Sequence, residues 1–281
     1  MLELIISALS NTAGIINDKF ILTRQRTSIR DFTPALFLFL FLGSAIAAPF
    51  LGWLDVEQLL RPLNIFLFLL MIGIAISWNY FYYQGLKKEK VNDFQLIILS
   101  APLATIILST IFLPAERHFN IIIPAVVASL ALIFSHFEKE HLKFDLYSKQ
   151  LILAVILMGA EAVLNKKLLD FIEPSLLYLL RTGFIFIAFA MFFKPNLKLM
   201  ANKHIGFIAI SGILGVVYMV TRFYGFQEYG VIFTTLILIL SPILVYLASA
   251  VVLHEKIKTK NIIATIVILA CIIYASFAEG I

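Results

Sequence analysis

The sequence predicts an all-α integral membrane protein: ten transmembrane helices in two five-helix repeats of inverted topology. Three observations carry this expectation. First, 61% of the 281 residues are hydrophobic and only 14% are charged, against ~25% charged in a soluble domain. The mean hydropathy is +0.98, and such a composition cannot make the polar skin that a soluble fold of this size needs. Second, the apolar residues fall into runs of about 20, the length that crosses ~30 Å of hydrocarbon. Ten such runs use ~200 residues and leave ~80 for connections and ends. Third, motifs recur in the same order in the two halves of the chain.

The expected spans are 2–22, 33–53, 63–85, 93–113, 119–137, 149–169, 174–193, 204–226, 230–252 and 259–278. The first could be mistaken for a signal peptide, but it has Glu3 where a basic region belongs and no small-residue cleavage site, so it is kept as a span. A β-barrel would need ten-residue alternating segments, which the runs do not provide. The polar stretch 138–148 (EKEHLKFDLYS) divides the chain. The expected organisation is therefore a first repeat over 1–137, a polar connecting loop over 138–148 and a second repeat over 149–281. Cys271, the single cysteine, lies in an apolar run and cannot form an intrachain disulfide.

The repeat is faint but ordered. Asn17-Asp18-Lys19-Phe20-Ile21-Leu22 ends the first span and Asn165-Lys166-Lys167-Leu168-Leu169 the sixth. Tyr83-Gln84-Gly85-Leu86 ends the third and Phe223-Tyr224-Gly225-Phe226 the eighth. Ser100-Ala101-Pro102 in the fourth matches Leu240-Ser241-Pro242 in the ninth, and Glu116-Arg117 matches Glu255-Lys256. With five spans per half, the second half enters the membrane from the opposite side, an arrangement known among transporters.

The pattern of a Pro-bearing span, an acidic-basic pair and a closing span resembles the EamA type of the drug/metabolite transporter superfamily. The resemblance covers nearly the whole chain, 1–278. It implies a central cavity lined by the first four helices of each half. It also implies a small transported solute: an amino acid, a nucleotide-type solute, a sugar phosphate or a drug-like compound. The resemblance does not say which.

The 22 basic residues against 17 acidic ones leave a net charge of +5. They gather beside spans, as topology requires, so nucleic acid is not an expected partner. Arg24, Arg26, Arg30, Lys87, Lys88, Lys90 and most later lysines follow odd-numbered spans, whereas only Arg61, Arg117, Lys166 and Lys167 follow even-numbered ones. The positive-inside rule then places both termini outside the cytoplasm. Relatives of the fold are usually drawn with termini inside. The expected location is the plasma (inner) membrane.

An ionisable side chain inside a bilayer is costly unless paired or wet, and so marks a functional position by default. Glu161, Arg181 and Arg222 stand well inside spans, and Asn165 shares the Glu161 helix face at i+4. Burial favours the protonated form of a carboxyl group, which suits proton coupling at Glu161. The alternative is an ionised Glu161 paired with Arg181 or Arg222. Tyr218 precedes Arg222 by one turn, and the matching positions of the third span are Trp78 and Tyr82. Arg222 suits an anionic group, and the aromatics suit a cavity wall or an interface belt. Gly73, Ser77, Tyr80 and Gln84 mark a polar face at i, i+4, i+7 and i+11, either a cavity wall or a hydrogen-bonded packing seam. Asn17, Asp18 and Asn165 lie near span ends and carry less weight.

Pro102 and Pro242 lie inside spans and are read as hinges or static bends. Gly212, Gly215, Ala45, Ala47 and Ala48 suit close helix packing. Glu116-Arg117 and Glu255-Lys256 are read as boundary ion pairs. His136 and His141 flank Glu138 and Glu140 without metal-ligand spacing. No phosphate loop, G-x-S-x-G, H-E-x-x-H or C-x-x-C occurs, so no catalytic, cofactor or metal site is expected. The expected function is secondary transport by alternating access, driven by a gradient, with protons as a coupling partner, or by exchange. The alternatives are an integral membrane enzyme acting on lipid or isoprenoid substrates and a non-transporting scaffold. Lipids and a small solute are the expected partners, and the expected state is a monomer or homodimer.

Overall fold

In lipid every backbone polar group must be satisfied within the chain, and a helix does this locally. The computed structural model describes residues 1–23, 27–51, 53–88, 91–136, 146–195, 202–245 and 259–279. Among them every regular element is helical, apart from an isolated antiparallel bridge between Leu54 and Ile172. The helices are α1 (Leu2–Thr23), α2 (Ile29–Leu51), α3 (Val56–Leu59), α4 (Pro62–Lys88), α5 (Val91–Ile98), α6 (Ala101–Phe112), α7 (Phe119–His136), α8 (Leu146–Leu168), α9 (Pro174–Phe193), α10 (Asn202–Leu238) and α11 (Thr259–Glu279). A 3₁₀ turn covers Pro114–Glu116.

Among the described residues, five stretches have the length and apolar content to cross a membrane: Ile29–Ile46, Pro62–Lys88, Pro174–Phe193, His204–Val245 and Thr259–Ala278. Leu96–Phe112, which runs from the end of α5 through α6, and Phe119–Ser135 in α7 are shorter apolar stretches. α1 and α8 have 22 and 23 residues, and they carry charge inside those lengths: Glu3 and Asp18 on α1, Lys149, Glu161 and Lys166 on α8. The outer surface is apolar, with Ile46, Phe119, Phe192 and Phe277 all more than 70% exposed. Polar side chains such as Glu161, Asn165 and Arg181 are buried instead. This inside-out distribution suits a chain whose surroundings are hydrocarbon.

The structure differs from the expected spans at three places. The stretch 93–113 is two helices, α5 and α6, separated by a turn at Leu99 and Ser100. Pro102 sits in the first turn of α6, where a missing N–H costs nothing, and Ser100 Oγ donates to Ile97 O at 2.5 Å. The stretches 204–226 and 230–252 follow one another with little separation. α10 passes through Gly230, whose φ of 80° is left-handed and is open chiefly to glycine. A second turn falls at Ile239, before helical residues 240–245. Between the second and third spans, Leu54 pairs with Ile172 and the one-turn helix α3 follows, capped by Asp55. The central loop as far as residue 145, Ala47's side chain and the Glu255-Lys256 pair lie outside the described residues.

Packing brings the two halves of the chain together. α1 runs antiparallel along α10, tied by Ser7 Oγ to Tyr218 O at 2.8 Å and by Asn17 Nδ2 to Phe207 O at 2.7 Å. α4 packs along α8, α2 against α9 and α7 against α11. Gly212 and Gly215 let α10 approach Phe39 and Leu40 of α2, as the packing reading expects. A buried core joins α2, α4, α8, α9 and α10, and a second joins α6, α7, α10 and α11.

Candidate functional site

Between these helices lies a cavity of about 290 Å³, near the small end of ligand-binding pockets. It is lined by residues of α1, α2, α4, α5, α6, α8, α9 and α10, together with Pro242. Three of these helices meet at one carboxylate. α8 places Glu161, α9 places Arg181 and α4 places Trp78. Arg181 Nε donates to Glu161 Oε1 at 2.5 Å, and Nη2 to Oε2 at 3.4 Å. Trp78 Nε1 donates to Oε2 at 2.5 Å. The guanidinium also lies 5.7 Å from the Trp78 ring centre and 5.9 Å from that of Tyr178. Glu161 and Arg181 are 4% and 2% exposed. Removing one partner of such a buried pair would strand a charge and cost about 3–5 kcal/mol. Of the two readings of Glu161, the geometry is that of the ion pair, with Arg181 rather than Arg222 as partner.

One turn along α8, Asn165 is buried and lines the cavity, and its Oδ1 has no hydrogen-bond partner among the described residues. Arg222 enters from α10. Its Nη1 donates to Tyr218 OH at 3.1 Å, and its guanidinium lies over Phe226 at 4.9 Å and Tyr218 at 5.9 Å. Its Nε is buried without a partner, and no carboxylate among the described residues forms an ion pair with it. Buried polar atoms in folded proteins are nearly always satisfied by protein or ordered water, and Arg222 lies on the cavity wall, where either water or a solute can reach it. Tyr82 lines the cavity with its ring edge-on to Trp78, 6.2 Å between centres. Thus Glu161, Arg181, Arg222, Trp78, Tyr82, Tyr218 and Asn165 all meet at one hollow.

Tyr80 does not. It stacks on Phe193 of α9, 6.1 Å between ring centres, and is absent from the cavity lining. None of Gly73, Ser77, Tyr80 and Gln84 lines the cavity: Gly73 is exposed with nothing within 4 Å of where a Cβ would stand, and Ser77 Oγ donates to Gly73 O at 2.8 Å. The cavity face of α4 carries Trp78, Asn79, Tyr82 and Tyr83 instead. Spacing marks a polar row but not the direction it faces, and in-helix hydrogen bonds let polar residues leave a cavity.

Pro102 and Pro242 both line the cavity, each three residues beyond the turn that interrupts its helix, at Leu99 and Ile239. Glu116 and Arg117 act differently from a boundary ion pair. Glu116 accepts from Val231 N at 2.8 and 2.9 Å and from Ile232 N at 3.0 Å. It thereby caps the helix that restarts after Gly230. Arg117 donates to Thr110 O and Ile111 O at 2.8 Å, at the other kind of helix end. Each charge meets the terminus whose unpaired amides or carbonyls complement it. At the same end of the bundle Tyr224 OH donates to Glu173, and Lys166 Nζ donates to Phe226 O at 2.7 Å.

Asp18 is the residue that a reading by span position undervalues. It lines the cavity and accepts from Ser211 Oγ at 2.5 Å. Asn17 Nδ2 donates to that same hydroxyl at 2.8 Å. Asp18 forms no ion pair with a cation among the described residues. A signal for it exists in the sequence: Ser7, Asn11, Gly14 and Asp18 recur at i, i+4, i+7 and i+11, one face of α1. Ser211, Gly215, Tyr218 and Arg222 repeat that spacing on α10.

Residues 149–277 match the EamA-like transporter family. A solved crystal structure superimposes with a TM-score of 0.72 at 15% identity, covering 99% of this chain and 96% of the other. At that identity the likeness speaks for the fold alone. No curated protein matches the chain.

Proposed function

We propose that this chain, whose residues 149–277 match the EamA-like transporter family, is a member of the drug/metabolite transporter superfamily and a secondary transporter of a small polar or amphipathic metabolite. The solute binds in the cavity between two inverted five-helix repeats. These rock between access states in the plasma (inner) membrane. The observation that carries this reading is the hollow itself. A bundle with an apolar exterior encloses about 290 Å³ walled by charged and aromatic side chains from both halves.

The packing supports the repeat. Exchanging the halves turns the first span's contact with the eighth into the sixth span's contact with the third, and α1 packs on α10 as α8 packs on α4. The matched glycines behave alike. A Cβ on Gly85 would meet Leu151 and Phe94, and one on Gly225 would meet Leu4 and Thr234. Phe94 and Thr234 stand 140 residues apart, as do Gly85 and Gly225. Pro102 and Pro242, each just past a turn on the cavity wall, are the hinges in this reading.

Arg222 binds an anionic group of the solute. Glu161, already held by Arg181 and Trp78, keeps the wall in place; its carboxylate would take a coupling proton only if that pair opens. The test is a ligand screen by thermal unfolding in detergent, with amino acids, sugar phosphates and nucleotide-type solutes. A ligand that binds only the folded state raises the unfolding temperature. At least one solute should stabilise the protein, and Arg222→Ala should weaken the effect. No stabilisation across the panel would contradict the proposal.

A further inference from the structure

Four charged side chains line the cavity, and they are not equivalent. Glu161 and Arg181 neutralise each other through a buried pair at 2.5 Å. Asp18 and Arg222 have no oppositely charged partner among the described residues. Among the described residues, Asp18 accepts from the Ser211 hydroxyl, and Arg222 donates to the Tyr218 hydroxyl while its Nε finds no partner. Both are half-buried on the cavity wall within the bundle, where a charge without a counter-charge is costly unless it is wet or paired. Each of these two therefore has a place open for a group of opposite sign. An anion alone would satisfy Arg222 and leave Asp18 stranded, and a cation alone would do the reverse.

The spacing of the two follows from α10. Ser211 and Arg222 lie on one face of that helix, eleven residues apart, or about 16 Å along its axis. The Arg222 side chain runs back by one turn to reach the Tyr218 hydroxyl, which shortens the gap by about 5 Å. On the order of 10 Å thus separates the carboxylate from the guanidinium. The wall contributed by Leu36, Leu40, Gly215 and Met219 has no charge, so a chain of methylene groups can lie along it.

Resting on the transport reading above, we propose that the cavity takes an extended zwitterion. The cationic group of the solute meets Asp18, and its anionic group, several bonds away, meets Arg222. A compact α-amino acid, with its charges on adjacent carbons, reaches only one of the two.

A molecular ruler tests this. The straight-chain ω-amino acids glycine, 4-aminobutyrate, 6-aminohexanoate and 8-aminooctanoate are titrated against the purified full chain by calorimetry and thermal unfolding. Hexanoate and hexylamine serve as one-ended controls. Affinity should rise with chain length to an optimum at six to eight carbons, about tenfold or more above glycine, as for one added charge-assisted bond. Asp18→Asn should bring 6-aminohexanoate down to the level of hexanoate, and Arg222→Gln should bring it down to the level of hexylamine. Asp18→Asn keeps a bond to Ser211 available. An unliganded unfolding temperature near that of the parent shows that the variant is folded, and Ser211→Ala provides a second probe of the same end. Affinity that does not depend on length, or a preference that survives Asp18→Asn, overturns the inference. If no ruler compound binds but a sugar phosphate or nucleotide-type solute binds through Arg222, the inference fails while the transport reading stands. If nothing binds from either set, both fail.

Discussion

Glu161 on α8 and Arg181 on α9 meet at 2.5 Å in the wall of the cavity, and Trp78 of α4 completes the carboxylate's shell. Three helices from the two halves of the chain are thereby joined at one carboxylate. Glu161→Gln leaves Arg181 without its counter-charge, and Arg181→Ala does the same to Glu161. Each should destabilise the protein by about 3–5 kcal/mol, whereas replacing both with Met should recover most of the loss. Chemical or thermal unfolding in one detergent checks the three variants together. Additive losses in the double variant would show that the pair does not act as a unit.

Trp78→Phe keeps the ring beside Arg181 but removes the donor to Glu161 Oε2. The expected cost is about 1.5–3 kcal/mol, the range of a hydrogen bond to a charged group. Tyr80→Phe should cost little, because the Tyr80 ring stacks on Phe193 outside the cavity. Equal effects of the two substitutions would reverse the assignment of the cavity face of α4.

Gly230 holds φ at 80° with the Glu116 carboxylate 3.0 Å from where a Cβ would stand. Gly230→Ala should therefore destabilise by about 1–3 kcal/mol, from backbone strain and displacement of the cap. Glu116→Ala, which frees Val231 N and Ile232 N, should cost about 0.5–2 kcal/mol. Combined, the two losses should fall short of their sum, since both act through the same cap.

The charge distribution predicts termini outside the cytoplasm. A C-terminal tag should react with a membrane-impermeant reagent in intact cells without permeabilisation. Reactivity only after permeabilisation would place the termini inside and reverse the loop assignment.

Much of the site is legible in the sequence because charge inside an apolar run is conspicuous. Glu161, Arg181 and Arg222 stand out against Leu, Ile and Val, and all three line one hollow. Trp78 with Tyr82, and Tyr218 with Arg222, are recoverable from the offset between the two repeats. Asp18 is harder to see, because its distance from the span end suggests an interface position. Its place becomes apparent from the four-residue row on α1 that faces the row on α10. Tyr80 shows the converse: polar spacing picks out a face, and only the neighbour, here Phe193, decides what that face meets. The breaks at Leu99, Gly230 and Ile239 leave little trace in hydropathy, since apolar side chains continue through them. The pairing of Leu54 with Ile172 joins residues far apart in the chain and has no local signature.

The most direct measurement is solute flux in proteoliposomes containing the purified chain, with the same solute panel and with Arg222→Ala as the paired variant. At least one polar solute should enter faster than into protein-free vesicles, and Arg222→Ala should abolish the difference. Flux equal to that of empty vesicles for every solute, or flux unchanged in the variant, would contradict the proposed function.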